Sequence, residues 1–268
     1  MTDPVSPQAQ VTVPGFRAAK GRSEKLVMVT AYDYPSAQLA EQAGVDAILV
    51  GDSLGTVVQG HASTLTVTLS QMVYHTEMVA RAARRCLVIA DLPFGSYQES
   101  PRQAVRSAVR LIKAGAAAVK LEGGERMAAT IAALVRAEIP VMGHVGLTPQ
   151  SVHQLGGFKI QRDLERIQRD AVVLTECGVF SLVIEAVPQG IAQQITATVP
   201  VPTIGIGAGP ACDGQVLVWH DLLGLFAQFR PRFVKQYADL AEPIRQALTS
   251  YCTEVRMGAF PDADHSFK

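Results

Sequence analysis

Short apolar runs rich in valine and isoleucine alternate along the chain with longer stretches in which apolar positions recur every three or four residues. Runs that are apolar on both faces and separated by helical stretches are typical of parallel strands joined by crossover helices. Eight such runs predict a (β/α)₈ barrel, with an open doubly wound sheet as the alternative. The predicted strands cover residues 26–30, 46–50, 87–91, 117–121, 140–143, 181–185, 202–206 and 215–219.

Nothing in the sequence marks a division into several domains, because it contains no internal repeat, low-complexity tract or linker. We expect one α/β barrel domain over residues 23–268, which ends in C-terminal helices. Residues 1–22 lie outside the periodic pattern and are expected to form a flexible N-terminal arm, unless a neighbouring subunit orders them. Thr68 and Gln71 predict a capping box at the start of a helix.

The charge balance excludes several classes of function. Lys plus Arg and Asp plus Glu each number 24 in 268 residues, so no basic excess is present to bind nucleic acid or an anionic membrane. Charged residues make up 18% of the chain, below the roughly 25% of typical soluble domains. The low fraction favours a buried parallel sheet or a chain that hides surface in an oligomer.

The sequence also carries hints about the compartment. No stretch approaches the roughly 18 consecutive apolar residues of a membrane span, and the N-terminal stretch lacks the pattern of a secretory signal. The four cysteines are widely separated and form no CxxC pair, which fits a reducing environment. We therefore expect a cytoplasmic protein.

Acidic residues stand at the ends of several predicted strands. Asp52, Asp91 and Glu122 finish the second, third and fourth strands, whose carboxyl ends share one mouth of a barrel. Any one of these acids alone could be a helix cap, but three close together repel one another unless a cation lies between them. Their hard oxygen ligands suit Mg²⁺, so the sequence predicts a magnesium site.

Three further strand residues are candidates for chemistry. Glu185 ends a later strand and is a candidate general base, with a purely structural acid as the alternative. Lys120 points to the same side as Glu122 and could bind a substrate carboxylate or form an internal salt bridge. His144 follows the fifth strand and could donate to a substrate oxygen or be a hydrogen-bonded core residue.

Two common kinds of site are not supported. The other histidines show no HxH or HExxH spacing, so a histidine zinc site is not expected. The glycines of IGIGAGP (204–210) fail the GxGxxG pattern because residue 210 is proline. Their backbone N–H groups could instead face an anion, or the backbone could approach a flat ligand.

From about residue 25 to residue 267 the chain resembles the ketopantoate hydroxymethyltransferases, which are barrels of the phosphoenolpyruvate/pyruvate type. The resemblance is specific because several long motifs occur in the right order. They are TAYDYPSA (30–37), VGDSLG (50–55), VQGHASTLTVTL (58–69), ADLPFGSY (90–97), VKLEGG (119–124), GHVGLTPQS (143–151), GIGAG (205–209), DGQVLVWHDLLG (213–224) and HSF (265–267).

The resemblance implies an activity and a set of site residues. The activity is transfer of a hydroxymethyl group from 5,10-methylenetetrahydrofolate to 3-methyl-2-oxobutanoate in pantothenate biosynthesis, through a Mg²⁺-stabilised enolate, by a homodecamer. The products are 2-dehydropantoate and tetrahydrofolate. The implied residues are Asp52, Asp91 and Glu122 for the metal, Glu185 as catalytic base, and Ser53, Lys120, His144, Asp52 and Asp91 for substrate.

Some features leave alternatives open. After GGFKIQ (156–161) the chain runs directly into RDLERIQRD, whereas many members of the family have a longer loop there. A Mg²⁺-dependent 2-oxo-acid lyase or phosphonomutase would share the barrel but often needs a loop cysteine, and only Cys212 lies near a glycine-rich segment. A barrel kept as a non-catalytic assembly subunit is the third possibility.

Overall fold

Eight parallel strands close into a barrel in which each strand pairs with the next one along the chain and the last pairs with the first. The computed structural model describes residues 9–225 and 231–267. This arrangement confirms the predicted (β/α)₈ barrel and rules out the open sheet. The strands are β1 (Leu26–Thr30), β2 (Ala47–Val50), β3 (Leu87–Asp91), β4 (Ala118–Glu122), β5 (Val141–Gly146), β6 (Ser181–Glu185), β7 (Thr203–Ile206) and β8 (Gly214–Leu217).

Helices connect the strands and extend the chain at both ends. The helices are α1 (Val13–Arg17), α2 (Tyr34–Gln42), α3 (Leu54–Val57), α4 (Leu69–Ala82), α5 (Pro101–Lys113), α6 (Ala128–Arg136), α7 (Val152–Leu155), α8 (Leu164–Glu176), α9 (Gln189–Thr198), α10 (Trp219–Leu222) and α11 (Ala241–Met257). Short 3₁₀ turns cover Thr64–Thr66, Glu125–Met127 and Pro149–Ser151. The predicted capping box is confirmed, because Thr68 and Gln71 exchange hydrogen bonds at the start of α4.

The strands are buried because both of their faces are covered. Every residue of β2, β3 and β4 is buried, since the helices pack outside them and side chains fill the barrel inside. All eight predicted strands are present, although the last one ends earlier than predicted because Trp219 begins α10. The strand ends therefore form a rigid platform for the residues that follow them.

The described part of the predicted N-terminal arm is not an arm. Phe16 of α1 is 1% exposed, belongs to the hydrophobic core, and contacts the ring of Phe180 edge-on at a centroid distance of 5.8 Å. The Lys20 ammonium lies 2.9 Å from Asp213 Oδ2, and the backbone N–H of Gly21 donates to the other oxygen. Residues 13–21 thus close the amino-terminal end of the barrel, while residues 1–8 lie outside the described residues.

The chain forms two compact units, Met1–Val218 and Trp219–Lys268. The first unit contains all eight strands, and the predicted single domain over residues 23–268 spans most of this unit together with the whole of the second. In the second unit no residue of α11 is buried. Within residues 9–225 and 231–267, no helix combines the length and apolar character needed to cross a membrane.

Candidate active site

The carboxyl ends of β2 to β6 bring the predicted site residues to one mouth of the barrel. The register of the sheet sets Asp91 beside Lys120 and Glu122 beside His144 on neighbouring strands. Most of these side chains are buried, while Glu185 and Ser53 are partly exposed. The exposed fractions are 5% for Asp52, 2% for Asp91, 5% for Lys120, 2% for Glu122 and 2% for His144.

Asp91 links three strands. Its Oδ1 lies 2.8 Å from the Lys120 ammonium, and its Oδ2 accepts a hydrogen bond from the backbone N–H of Asp52 at 3.0 Å. Of the two sequence interpretations of Lys120, the internal salt bridge is therefore present. A buried ammonium that keeps such a partner stays charged.

His144 lies between two acids. Its Nδ1 is 3.6 Å from Glu122 Oε1 and 3.5 Å from the Lys120 ammonium, and its Nε2 is 3.2 Å from Glu185 Oε2. Burial, together with the charge of Lys120, lowers the pKa of His144. The imidazole is therefore neutral near pH 7, and its ring connects the metal-site candidate Glu122 to the base candidate Glu185.

The buried carboxyl groups outnumber the one ammonium among them, and the pKa values of Asp52 and Glu122 are raised. Burial and the nearby Asp91 raise the pKa of Asp52 to about 7. Burial and the charge of Asp52 raise the pKa of Glu122 well above its ordinary value. Burial lowers the pKa of Lys120, but attraction by Asp91, Glu122 and Asp52 outweighs it, so the net pKa is raised. One ammonium thus faces an excess of carboxyl groups.

The carboxyl oxygens suit a hard divalent cation, although they do not converge on a common point in this arrangement. Among residues 9–225 and 231–267, no three His, Cys, Asp or Glu side chains are grouped as a ready metal site. Asp91 is turned to Lys120, and Asp52 Oδ2 accepts from the Gln150 amide. The oxygen donors of Asp52, Asp91 and Glu122 fit Mg²⁺, and the raised pKa values of Asp52 and Glu122 are what a cation at this place would lower.

Two residues of the site were missed by the sequence reasoning, Gln150 and Tyr97. Gln150 follows β5 in a 3₁₀ turn and is 6% exposed, and Tyr97 is 1% exposed. Both lie inside motifs that carry the family resemblance, but neither type is a usual acid, base or ligand. A glutamine in the loop directly after a strand end is the only signal that could have indicated a role.

Ser53 and the glycine-rich segment also lie at this end of the barrel. The Ser53 hydroxyl lies 2.8 Å from the hydroxyl of Tyr32, which is 3% exposed. The glycine-rich segment begins inside β7 and continues past its end, where Gly207 and Gly209 adopt φ values of 63° and 79°, which favour glycine. Anion binding by their backbone stays a prediction.

Relatives with curated functions match nearly the whole chain. A protein of Moorella thermoacetica named 3-methyl-2-oxobutanoate hydroxymethyltransferase is 60% identical over 266 residues, which cover 97% of this chain and 99% of that protein. A protein of Pelobacter propionicus with the same name is 52% identical over 262 residues, covering 96% and 97%.

Solved structures of lower identity share the fold. Phosphoenolpyruvate phosphomutase from Streptomyces platensis subsp. rosaceus superposes with a TM-score of 0.63 at 18% identity, covering 92% of this chain and 88% of that chain. Phosphonopyruvate hydrolase in complex with oxalate and Mg²⁺ gives 0.61 at 16% identity, covering 94% and 92%. At such identities the likeness supports the barrel alone.

The match to a protein family agrees with the motifs and with the arrangement of the strand ends. The family model described as ketopantoate hydroxymethyltransferase matches residues 10–263. This range includes α1 and every strand of the barrel. The chain belongs to the ketopantoate hydroxymethyltransferase family.

Proposed function

We propose that this protein transfers a hydroxymethyl group from 5,10-methylenetetrahydrofolate to 3-methyl-2-oxobutanoate. The products are 2-dehydropantoate and tetrahydrofolate, and the reaction is a step of pantothenate biosynthesis. The observation that supports this most is the cluster of buried acids around Lys120, with Glu185 partly exposed beside it, in a chain of this family. Relatives at 52% and 60% identity carry the name of this activity.

The metal is assigned to Asp52, Asp91 and Glu122, whose oxygens are the ligands that Mg²⁺ prefers. Bound Mg²⁺ would supply a Lewis acid that polarises the keto oxygen and carboxylate of the oxo acid. The substrate is itself an anion, and the Lys120 ammonium is the nearby group that can attract it. Lys120 therefore stabilises the negative charge that grows on the substrate oxygen as the C3 proton leaves.

Glu185 removes the C3 proton. Its side chain is 18% exposed, so it is accessible from the mouth of the barrel, unlike the buried Asp91 and Glu122. The neutral His144 holds its Nε2 3.2 Å from Glu185 Oε2, which leaves Oε1 free to accept the proton. The imidazole of His144 thus restricts the position of the Glu185 carboxyl group at the mouth of the barrel, as a positioned general base requires.

We assign Ser53 to substrate binding. Its hydroxyl is oriented by a hydrogen bond with the hydroxyl of Tyr32. The enolate formed by loss of the proton attacks the one-carbon unit of the folate through its own C3 carbon. Both C–N bonds of that unit break, and water together with the released C3 proton supplies the hydroxyl hydrogen of the product and the two N–H hydrogens of tetrahydrofolate. The folate supplies the electrophilic carbon, and water supplies the hydroxyl oxygen of the product. No residue of the described chain is assigned to the folate ring.

The position of Cys212 does not support the alternative function as a lyase or phosphonomutase. Its thiol is fully buried, and the residue precedes β8 at the amino-terminal end of the barrel, opposite the acidic cluster. Burial raises the pKa of Cys212, so the thiol is a poor proton donor or nucleophile. A cysteine that exchanges protons with substrate at the other mouth is therefore not available here.

We infer further that the protein acts in the cytoplasm as a homo-oligomer, with a decamer expected from the family resemblance. The charged fraction of 18% and the exposed apolar side chains of α11, among them Leu248 and Tyr251, support self-association. A net charge of zero argues against nucleic acid or membrane partners.

The proposed activity is tested by product analysis. Purified protein is incubated with 3-methyl-2-oxobutanoate and 5,10-methylenetetrahydrofolate, with Mg²⁺ or with EDTA, and 2-dehydropantoate is measured by mass spectrometry. We expect product only when both substrates and Mg²⁺ are present. Product in EDTA would contradict the metal assignment, and cleavage of the oxo acid without the folate would favour the lyase alternative.

A further inference from the structure

Gln150 connects two acids that come from different strands. Its side-chain Nε2 donates to Asp52 Oδ2 at 2.8 Å, and its backbone N–H donates to Glu122 Oε2 at 2.9 Å. The residue is 6% exposed, so neither bond competes with bulk water. Gln150, which lies in the 3₁₀ turn Pro149–Ser151, therefore hydrogen-bonds to one oxygen of each carboxyl group.

The surroundings of Gln150 allow only one orientation of its amide. The Nε2 group also donates to the carbonyl oxygen of Leu92 at 3.0 Å, and a carbonyl can only accept. The Oε1 atom accepts from the Tyr97 hydroxyl at 2.8 Å and from Gln98 Nε2 at 3.1 Å. A flipped amide would place its oxygen against the Leu92 carbonyl and the Asp52 carboxylate, which repel it.

Tyr97 is held in turn by the strand that carries Glu122. Its hydroxyl accepts a hydrogen bond from the backbone N–H of Glu122 at 3.2 Å, and it lies closer to Gln150 Oε1 than to the Glu122 carbonyl, at 2.8 Å against 3.1 Å. The single hydroxyl proton therefore goes to Gln150. Tyr97 is 1% exposed, so the network is closed to solvent.

We propose that Gln150 is a positioning residue that sets the mutual orientation of Asp52 and Glu122, with its amide oriented by Tyr97, and thereby sets the affinity of the site for Mg²⁺. This inference rests on the metal assignment of the proposed function. Gln150 holds Asp52 Oδ2 and Glu122 Oε2, so the other oxygen of each group is not engaged by it. Because these hydrogen bonds already restrict the two carboxyl groups, less conformational entropy is lost when a cation binds.

The test compares Mg²⁺ binding by calorimetry in the wild type and in Gln150→Met, which has a similar volume and cannot hydrogen-bond through its side chain. Loss of such a supporting residue typically weakens metal binding by roughly 10- to 100-fold, and we expect a loss in that range. Raising the Mg²⁺ concentration should restore product formation by this variant, whereas a merely structural defect would not respond to the metal.

Two further variants complete the experiment. Gln103→Met is the matched control, because Gln103 also makes two side-chain hydrogen bonds, to the backbone of Glu99 and Gly95, without touching a carboxyl group. We expect it to bind Mg²⁺ like the wild type. Tyr97→Phe should weaken binding by roughly 3- to 10-fold, and adding it to Gln150→Met should cause no further loss, because both act through one network.

The outcomes separate this inference from the proposed function. If the wild type binds Mg²⁺ and Gln150→Met binds within about twofold of it, the inference is wrong and the proposed function stands. Independent, additive losses in the double variant would also overturn the inference. A wild type that binds no Mg²⁺ would overturn both. If Gln150→Met does not fold, as judged by its thermal midpoint in EDTA, unchanged binding by Tyr97→Phe would decide against the inference.

Discussion

Asp52 shows at the scale of one residue how a fold can keep an unfavourable charge. It follows a strand that is buried throughout and lies close to another acid, Asp91, and both effects raise its pKa to about 7. The unfolded chain places no such penalty on this carboxyl group. A buried acid of this kind is expected where a bound cation or substrate offsets the repulsion between the carboxyl groups. Without that ligand, the acid lowers the stability of the folded protein.

Replacing this acid should therefore stabilise the metal-free protein. The pKa of Asp52 lies above its ordinary value of 3.8, so the folded state holds a proton that the unfolded chain releases, and stability falls as the pH rises from about 4 to about 7. We expect Asp52→Asn to raise the free energy of unfolding at pH 8 by about 4 kcal/mol and to leave it nearly unchanged at pH 4. Urea denaturation in EDTA measures both. An equal or lower value at pH 8 would show that the buried charge is compensated.

Asp91 should be essential for metal binding. Its carboxyl group is a candidate ligand and also the partner of Lys120, at 2.8 Å. We expect Asp91→Ala to lower the affinity for Mg²⁺ by at least about 100-fold, because a ligand of a hard cation is removed. Calorimetry tests this. An unchanged affinity would remove Asp91 from the metal site, and Asp170→Ala, at an acid on α8 outside the cluster, is the control.

The sequence reasoning predicted the ionisable residues that the fold brings together at the candidate site, and it missed the neutral residues that hydrogen-bond to them. Acids and a lysine at the ends of apolar strands are conspicuous, because burying charge is costly without a partner. The amide of Gln150 and the hydroxyl of Tyr97 are neutral and reach the cluster from loops separated by 53 residues, so only the folded chain reveals that they meet. Lys120 pairs with Asp91, and this pairing likewise follows from the register of β3 and β4, which the sequence does not reveal.

At the scale of elements, the helix α1 is the part of the fold that periodicity could not reveal. It spans five residues, too few for an apolar pattern to repeat, and it begins after Thr12, whose side chain accepts from the backbone of Gly15. Its anchor is one aromatic side chain, Phe16, which packs against Phe180. The strands, in contrast, were predictable because most of their residues are apolar and stand in short runs between helical stretches.

The closure of the barrel by α1 should contribute strongly to stability. Phe16 is 1% exposed, and its removal leaves a cavity against Phe180 in the core. We expect Phe16→Ala to lower the free energy of unfolding by about 3–5 kcal/mol. Thermal and urea denaturation measure the loss, and Phe158→Ala, at a side chain that is 60% exposed, is the control. A loss below about 1 kcal/mol would indicate that α1 is only loosely attached.

At the scale of the whole molecule, the residues that stabilise the barrel and the residues of the candidate site lie at opposite ends of it. The amino-terminal end carries α1 and the Lys20–Asp213 ion pair, which close the core, and the carboxyl-terminal end carries the acids that repel one another. Barrels with this division place active sites at the carboxyl-terminal mouth and can vary the loops there. The motifs of this chain that follow β2, β3 and β5 are the loops that complete the site.

The affinity of the whole site for Mg²⁺ should depend on pH. Asp52 has a pKa of about 7, and Glu122 has one well above its ordinary value, so protons must leave when the cation binds. We expect the affinity to rise roughly tenfold between pH 6 and pH 7. Calorimetry in two buffers of different ionisation enthalpy counts the released protons. Binding without proton release would contradict the assignment of these two acids.

The proposed chemistry depends most directly on whether the site enolises the oxo acid with Glu185 as base. Loss of the C3 proton of 3-methyl-2-oxobutanoate is followed by NMR in deuterated water with tetrahydrofolate present, with and without Mg²⁺. We expect exchange that requires Mg²⁺, that falls by at least about 100-fold in Glu185→Gln, and that is unchanged in Glu176→Gln, at an exposed glutamate of α8. Exchange at the wild-type rate in Glu185→Gln, or exchange that is indifferent to the metal, would contradict the proposed mechanism.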